Sequence, residues 1–598
     1  MRRAPLQLVV PYLTEVDGAD SRLMGLAGFL GIACQKLPLD RQTRHYAEYI
    51  HKVIPNRTSC LVLNPRVIRD WTAGVLPGEL ARCFTSHFRY VLVHSLIPDP
   101  FVDRLIASLS AGGLESVRRV ADLGSCYEIS STSRDVCGAF SGLSFGPINA
   151  ANDGVLSVNA AGNTLRSLIC IGGRPLMAAL KCDASEMLFV ASEDVADVNA
   201  HIGYSPLDNH FSRLMPQAMA LRYIFGEECW RPGQPSATII VDDPLLRPNY
   251  GFLNYESLFR LTTEYKFHTA IAFIPHNYRR NSKCILNLFR HNPNYLSLCY
   301  HGNDHTRSEF ASRDIDFLNS ALAIAEQRMR LHHQSTGLRC DKVMVFPGSD
   351  FSAEAMQILK SRNFYAAVSS AWHPLGQPSL PSVSDICQPA NLRFGGFPLF
   401  GRNAARDVRS QDVAFNLFFG KPTLTGEHHD TFEDPHDLVQ AVQRINAVAP
   451  GILWSNLETA VGGSHLRRRA ADGTVHIRAY CPSVEIVNDA ESVERFRITW
   501  SQPGQSVPFQ QVLRDGASFS TLEESDAGIC AAGEVAPGNA HRFSLLYRNG
   551  HPPARSLGLR WDSKAFLRRR FSEIRDNYFS KNQYVLGLAK SVQHRLWN

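Results

Sequence analysis

Ala237-Thr238-Ile239-Ile240-Val241-Asp242-Asp243-Pro244 reads as a buried strand that ends in two adjacent acids and a proline. The short apolar, β-branched run followed by turn-forming residues is a strand-and-turn signal. Neighbouring residues on an extended chain point to opposite sides. In the turn after a strand they can diverge, so that one acid meets a cation and the other faces water on it. An Asx-type turn capping the next segment is the plainer use of the same pair.

Working outward, a Pro/Gly-rich break at Arg231 to Pro235 precedes this run. Further apolar runs follow at Thr269 to Ile274, Tyr295 to Tyr300, Lys342 to Phe346 and Tyr365 to Val368. Between them, Asp314 to Leu331 carries apolar residues at near-helical spacing, and Ser352 is placed to cap a helix holding Met356 and Leu359. Parallel strands joined by helices are the economical reading, giving a (β/α) barrel, complete or incomplete, over 236–460 with its site at the strand C-termini. Residues 1–230 alternate strand runs such as Cys60 to Leu63 and Tyr90 to Val93 with helical stretches such as Val102 to Leu109, as an α/β layered domain does. They carry no glycine-rich dinucleotide or phosphate loop and no nucleophile elbow. Residues 461–560 hold short β-type runs between Gly, Pro, Asp and Ser clusters, the rhythm of a small β-sandwich. Residues 561–598 read as a basic amphipathic helix, Arg568, Arg569, Arg570 and Arg575 interleaved with Phe566, Leu567, Phe571 and Ile574. Such a helix can touch an anionic membrane surface or pack on the protein with a solvated basic face.

The expected molecule is therefore a multidomain α/β protein. At 598 residues it exceeds one ordinary core, and its 44% apolar and 20% charged shares exclude a disordered chain. A formal charge of +6 is too modest for this size to signal nucleic acid. The 14 cysteines form no Cys-x-x-Cys pair, so neither a disulfide scaffold nor a zinc ribbon is indicated. The opening Met1-Arg2-Arg3 leads into an apolar run broken by Pro11, which does not read as a signal peptide, and no uninterrupted apolar stretch is long enough to span a membrane. The expected compartment is the cytoplasm, with peripheral contact at the inner face of the membrane through 562–598.

Three more strand ends carry chemistry. Tyr300-His301-Gly302-Asn303-Asp304-His305 follows Leu296 to Cys299, and two imidazoles four apart share one turn, as a chelate requires. With 22 histidines in the chain, about one such spacing arises by chance, so its position at a strand end gives it weight. One Asp and two His leave open positions on zinc or another divalent ion, which suits catalysis better than a closed structural site. Lys342 to Phe346 runs into Pro347-Gly348-Ser349, equally the makings of an ordinary tight turn. Thr423-Leu424-Thr425-Gly426-Glu427-His428-His429-Asp430 ends in a histidine pair, one of which can pass a proton near neutrality; adjacent Asp430 leans the choice toward His429.

The ordered set Asp-Asp, His-x-x-x-His, Pro-Gly, His-His-Asp resembles the NodB-homology polysaccharide deacetylases, carbohydrate esterase family four, over Ala237 to Leu457. The resemblance implies Asp242 as general base and Asp243, His301 and His305 as ligands of one divalent metal ion, zinc first. Pro347, Gly348 and Ser349 stand in the place of that family's Arg-x-Pro-Tyr motif, where backbone N–H groups would meet the oxyanion. The family's arginine is missing there, Gly302 replaces its usual Ser or Thr, and no match to its Asp-Trp pairing is found, which leaves the proton-donating His428 or His429 without an orienting partner. The implied activity is hydrolysis of N-acetyl (or O-acetyl) groups of an acetylated glycan or sugar precursor, in bacterial-type surface polysaccharide metabolism. A catalytically degenerate, glycan-binding or assembly protein is the alternative. A glycosidase would also use paired carboxylates, but the histidine pair would then be surplus.

Overall fold

Each apolar run that stops at a Gly, Pro, Asp or His is a strand, and each capped periodic segment is a helix. The computed structural model describes residues 6–42, 45–53, 59–76, 78–120, 124–159, 165–182, 185–202, 207–306, 308–378, 380–501, 507–520, 522–525, 528–548 and 556–579. The remainder of the expected C-terminal helix, 580–598, lies outside the described residues. Contacts divide the chain into two units: Met1–Arg231 with Leu380–Ser384 and Arg467–Thr474, and Pro232–Ser379 with Asp385–Leu466 and Val475–Asn598. Among the described residues, no helix is long and apolar enough to cross a membrane.

The first unit is a mixed sheet flanked by helices. Strands Cys34–Pro38, Leu8–Tyr12, Cys60–Leu63, Tyr90–Val93 and Ser185–Val190 run parallel in that order, and the sheet continues antiparallel through Arg174–Cys182 and Leu165–Ile171. Asn64 and Asp99 accept backbone N–H bonds at the starts of helices Pro65–Trp71 and Pro100–Leu109, each with proline in its first turn.

The second unit contains the strands that place the candidate site. They are β1 (Ser236–Asp242), β2 (Thr269–Phe273), β3 (Leu296–Tyr300), β4 (Asp341–Val345), β5 (Ala366–Ser369), β6 (Phe397–Gly401) and β7 (Thr423–Glu427). Their order is β6-β5-β4-β3-β2-β1-β7, every neighbouring pair parallel. All seven therefore end on the same edge. Beyond β6, Asn403 forms a parallel bridge to Thr425 of β7, linking the two ends of the strand order by one residue pair.

The crossovers are helices α1 (Tyr255–Tyr265), α2 (Lys283–His291), α3 (Ile315–Thr336), α4 (Ala353–Ser361), α5 (Ser410–Phe419) and α6 (His436–Val448). Asn254, Asp314 and Ser352 cap α1, α3 and α4. Ile239, Val241, Ile271, Phe273, Leu298, Met344 and Ala367 join Leu258, Leu318, Leu322, Met356 and Leu359 in one buried core. That core fixes the strand ends in place.

Further on, Val475–Ala479, Glu494–Trp500 and Gly528–Val535 belong to one sheet, and Ser483–Val487, Phe509–Arg514 and Ala540–Tyr547 to another. Val475, Ile477, Phe496, Ile498, Val484, Val512, Phe543 and Leu545 from both share a single core, as in a sandwich. The last described helix is α7 (Leu559–Ile574), which runs into a π-helical turn at Arg575–Phe579.

Candidate metal centre

Asp242 and Asp243 leave the end of β1 in different directions because Asp243 takes φ +79, a left-handed conformation that breaks the strand's alternation. Asp242 turns into a fully paired environment. Arg402, just after β6, donates Nη1 to Oδ1 at 2.7 Å and Nη2 to Oδ2 at 2.5 Å. Burial pushes the Asp242 carboxyl up, but Arg402, His301 and His428 hold it below its ordinary value. The arginine missing from the Pro347 turn is thus matched by one from a different strand end.

Asp243 faces the two histidines. His301 Nε2 lies 3.4 Å and His305 Nε2 3.1 Å from Asp243 Oδ1. The ligand atoms of the three residues all fall within 4.8 Å of one another. His301 Nδ1 is 2.9 Å from the carbonyl oxygen of Val345, at the end of β4. A carbonyl can only accept, so Nδ1 carries a proton; burial pulls the His301 imidazole down, but Asp242 and Asp243 raise it above its ordinary value, so Nε2 offers its lone pair to a cation on giving up its own proton. Both Asp243 Oδ1 and His301 Nε2 are buried without a hydrogen-bond partner. A carboxylate and two imidazoles converging, with two of the three ligand atoms unpartnered, fit a borderline divalent cation such as zinc. Burial would raise the Asp243 carboxyl, yet His305, His301 and Arg569 hold it well below its ordinary value. Burial pulls the His305 imidazole down to about 3, which keeps it neutral and able to ligate.

The turn that carries the histidines is organised by Glu309. Its carboxylate accepts the backbone N–H of Asn303 at 2.8 Å and those of Asp304 and His305 at 3.2 Å. Gly302, at φ +66, is required here: a Cβ would lie 2.0 Å from Glu309 Oε1 and 2.6 Å from Pro347 Cγ. This accounts for glycine where the family resemblance leads one to expect Ser or Thr. Asp304 beside it is held by His276, Arg328, Asn303 and Trp561.

Pro347, Gly348 and Ser349 form a single tight turn after β4, with Gly348 at φ +62 and Ser349 at φ +63. The Ser349 N–H bonds the Phe346 carbonyl at 3.1 Å and the Asp350 N–H that of Pro347 at 3.4 Å, so neither is open to an oxyanion in this state.

At the end of β7 the two histidines part. The His428 side chain is exposed and makes no hydrogen bond or ion pair among the described residues. His429 is half-buried, stacked near Phe252 and edge-on to Tyr250, with Nε2 3.6 Å from Asp576 Oδ1 and Nδ1 unpartnered. The acid beside His429 is therefore Asp576 of the C-terminal segment, whereas Asp430 is exposed.

Asp576 belongs to a segment that packs on this site. Tyr250 donates its hydroxyl to Asp576 at 2.7 Å, Gly251 its N–H to Asn577 at 2.9 Å, and Arg280 both bonds of a fork to Glu573 at 2.6 and 2.7 Å. The sequence expectation of an outward basic face on this helix is reversed in part. Arg569 is buried at 4% exposure, while Phe566, Leu567, Phe571 and Ile574 are 42 to 50% exposed. The helix is fixed by its polar bonds rather than by an apolar stripe.

No family model matches the chain, and no curated protein matches it by sequence. Among solved structures it is similar to Agd3, described as a novel carbohydrate deacetylase, at 9% identity and TM-score 0.44, over 92% of this chain and 99% of that one. It is also similar to a family 4 carbohydrate esterase from Streptomyces lividans in complex with acetate (13% identity, TM-score 0.23) and a CE4 esterase of Streptococcus mutans (13%, 0.24). Each covers 37% of this chain and 88% or 85% of the other. Likenesses this distant leave the function to the site itself.

Proposed function

We propose that the chain is a metal-dependent deacetylase that hydrolyses N-acetyl (or O-acetyl) groups of a carbohydrate, with its chemistry in residues 236–460. The observation that carries this reading is the convergence of Asp243 Oδ1, His301 Nε2 and His305 Nε2, the first two buried and unsatisfied. A divalent ion bound there, zinc first, supplies a Lewis acid for the acyl carbonyl and lowers the pKa of water. Asp242, kept ionised by Arg402, accepts the proton of the attacking water. The bidentate clamp fixes the direction of its lone pairs. His429 delivers a proton to the leaving amine, with Asp576 as the partner that orients its ring. The turn at Pro347, Gly348 and Ser349 forms the oxyanion side of the site once substrate displaces its internal bonds.

The degenerate, binding-only alternative drew on an absent arginine and an unpartnered histidine. Arg402 beside Asp242 and Asp576 beside His429 weigh against it. The deciding experiment is acetate release from N-acetylated oligosaccharides by the purified chain. Release should stop with a chelator and return with added zinc, and should be lost irreversibly in Asp243→Ala. Turnover that persists through both treatments sinks the reading; zinc bound one-to-one without turnover on any acetylated glycan establishes the alternative.

A further inference from the structure

The buried side of the C-terminal segment is a single stripe. Trp561, Ala565, Arg569, Ser572 and Asp576 recur at spacings of four, four, three and four, the period of one helical face. The stripe is pinned at both ends to the candidate metal centre. Trp561 Nε1 donates to Asp304, the neighbour of His305, at 2.9 Å, and Asp576 accepts from Tyr250 and faces His429. Arg569 lies midway between these pins. It is 4% exposed, its Nε has no partner, and among the described residues it forms no hydrogen bond or ion pair. Of the other arginines nearby, Arg570 pairs with Glu573 at 3.4 Å, Arg575 with Asp576 at 2.6 Å and Arg280 with Glu573, while Arg568 is only half-buried and has Glu309 and Asp243 as its nearest opposite charges.

A buried guanidinium without an acid is costly to keep, because nothing returns the hydration it gave up. Arg569 is among the charges that stabilise the Asp243 carboxylate, and the pins at Asp304 and His429 hold its stretch of helix beside the ligand triad. That single carboxylate already serves the proposed cation, whose two positive charges leave the guanidinium uncompensated. A positive surplus of this kind attracts an anion. Guanidinium geometry favours a planar carboxylate, which it binds through two parallel N–H bonds.

We propose that Arg569 is a carboxylate-binding residue beside the metal centre, contributed by the C-terminal helix. The proposal rests on the deacetylase reading for what the carboxylate belongs to: the acetate that hydrolysis leaves behind, or a uronate on the glycan chain.

The test is calorimetric titration of the zinc-loaded full chain with sodium acetate and, separately, with D-glucuronate, neither of which requires turnover. Wild type should bind at least one of them. Arg569→Gln should bind it about tenfold or more weakly, in line with the loss of a charged hydrogen-bond pair, and Arg569→Lys should recover part of the difference. Arg570→Gln, an exposed change on the same helix, should match wild type, and zinc content should be equal in all four proteins. Acetate bound alone identifies the product as the source; glucuronate bound more tightly and equally dependent on Arg569 identifies an acidic glycan. The proposal is overturned if wild type binds neither, if Arg569→Gln binds as wild type does, if Arg570→Gln loses as much, or if Arg569→Gln loses its zinc. Absence of acetate release from acetylated glycans, with carboxylate binding intact, would remove the deacetylase reading and leave the subsite standing.

Discussion

Both units set an imidazole just past the end of a parallel strand and bring an acid against it, yet the two constellations differ in one respect. In the first unit, His94 follows strand Tyr90–Val93; its Nε2 meets Asp20 Oδ1 at 2.7 Å and its Nδ1 meets Ser95 Oγ at 3.0 Å, all three groups being 2% exposed or less. Every polar atom of that ring has a partner. In the second unit, His301 spends Nδ1 on a carbonyl and leaves Nε2 open toward an equally open carboxylate oxygen. Residue types alone do not separate the two. What separates them is unspent bonding capacity, which in a buried place either holds a ligand or costs stability.

The largest effect should come from filling or removing the open valence. Asp243→Ala combined with His301→Ala should abolish stoichiometric zinc binding, read by metal analysis, whereas His94→Ala should leave zinc content untouched; equal loss in both would erase the contrast between the sites. Next, Arg402→Met strands the Asp242 carboxylate in the interior and should cost about 3–5 kcal/mol by denaturant unfolding, with zinc retained. Smaller again, Glu309→Gln loosens the turn that presents His301 and His305 and should weaken zinc about 10–100-fold, as loss of a ligand-orienting group does. In the closed constellation, Asp20→Asn should lower stability by about 2 kcal/mol without changing metal affinity.

The smallest effect concerns Lys421, buried at the foot of β7 with Nζ 3.0 Å from Asn391 Oδ1. Burial pulls its ammonium down to about 8, from 10.5 in the open chain. Between those values the unfolded chain binds more protons than the folded one, so stability should rise with pH across the window. Lys421→Met should flatten that rise in melting temperature measured from pH 8 to 10.5; an unchanged slope would assign it to other groups.

The strands and the four chemical strand ends were readable because each is a contiguous pattern: an apolar run that stops at Asp242, His301, Pro347 or His428. Asp243, His301 and His305 could be grouped because two of them share a turn and the third ends a strand. Arg402 could not be, since it reaches Asp242 across 160 residues of sequence and sits in no motif. Glu309 is hidden for a different reason: a lone acid four residues past a histidine carries no signal until the backbone curls its N–H groups onto it. Arg569 and Asp576 were visible only as members of a charged helix. Which side of that helix turns inward is decided by Tyr250, Asp304 and His429, residues 147 to 326 positions away that no local periodicity consults.

That same helix has a consequence for how the protein comes into being. Its anchoring bonds to Tyr250, Arg280 and Asp304 close loops of 326, 293 and 257 residues. During synthesis the parallel strands and the candidate triad emerge far ahead of it, so both are made before Asp576 is. The contacts that tie the helix to Tyr250, Arg280 and Asp304 are accordingly the last the chain can make, because long-range closures of this kind form last.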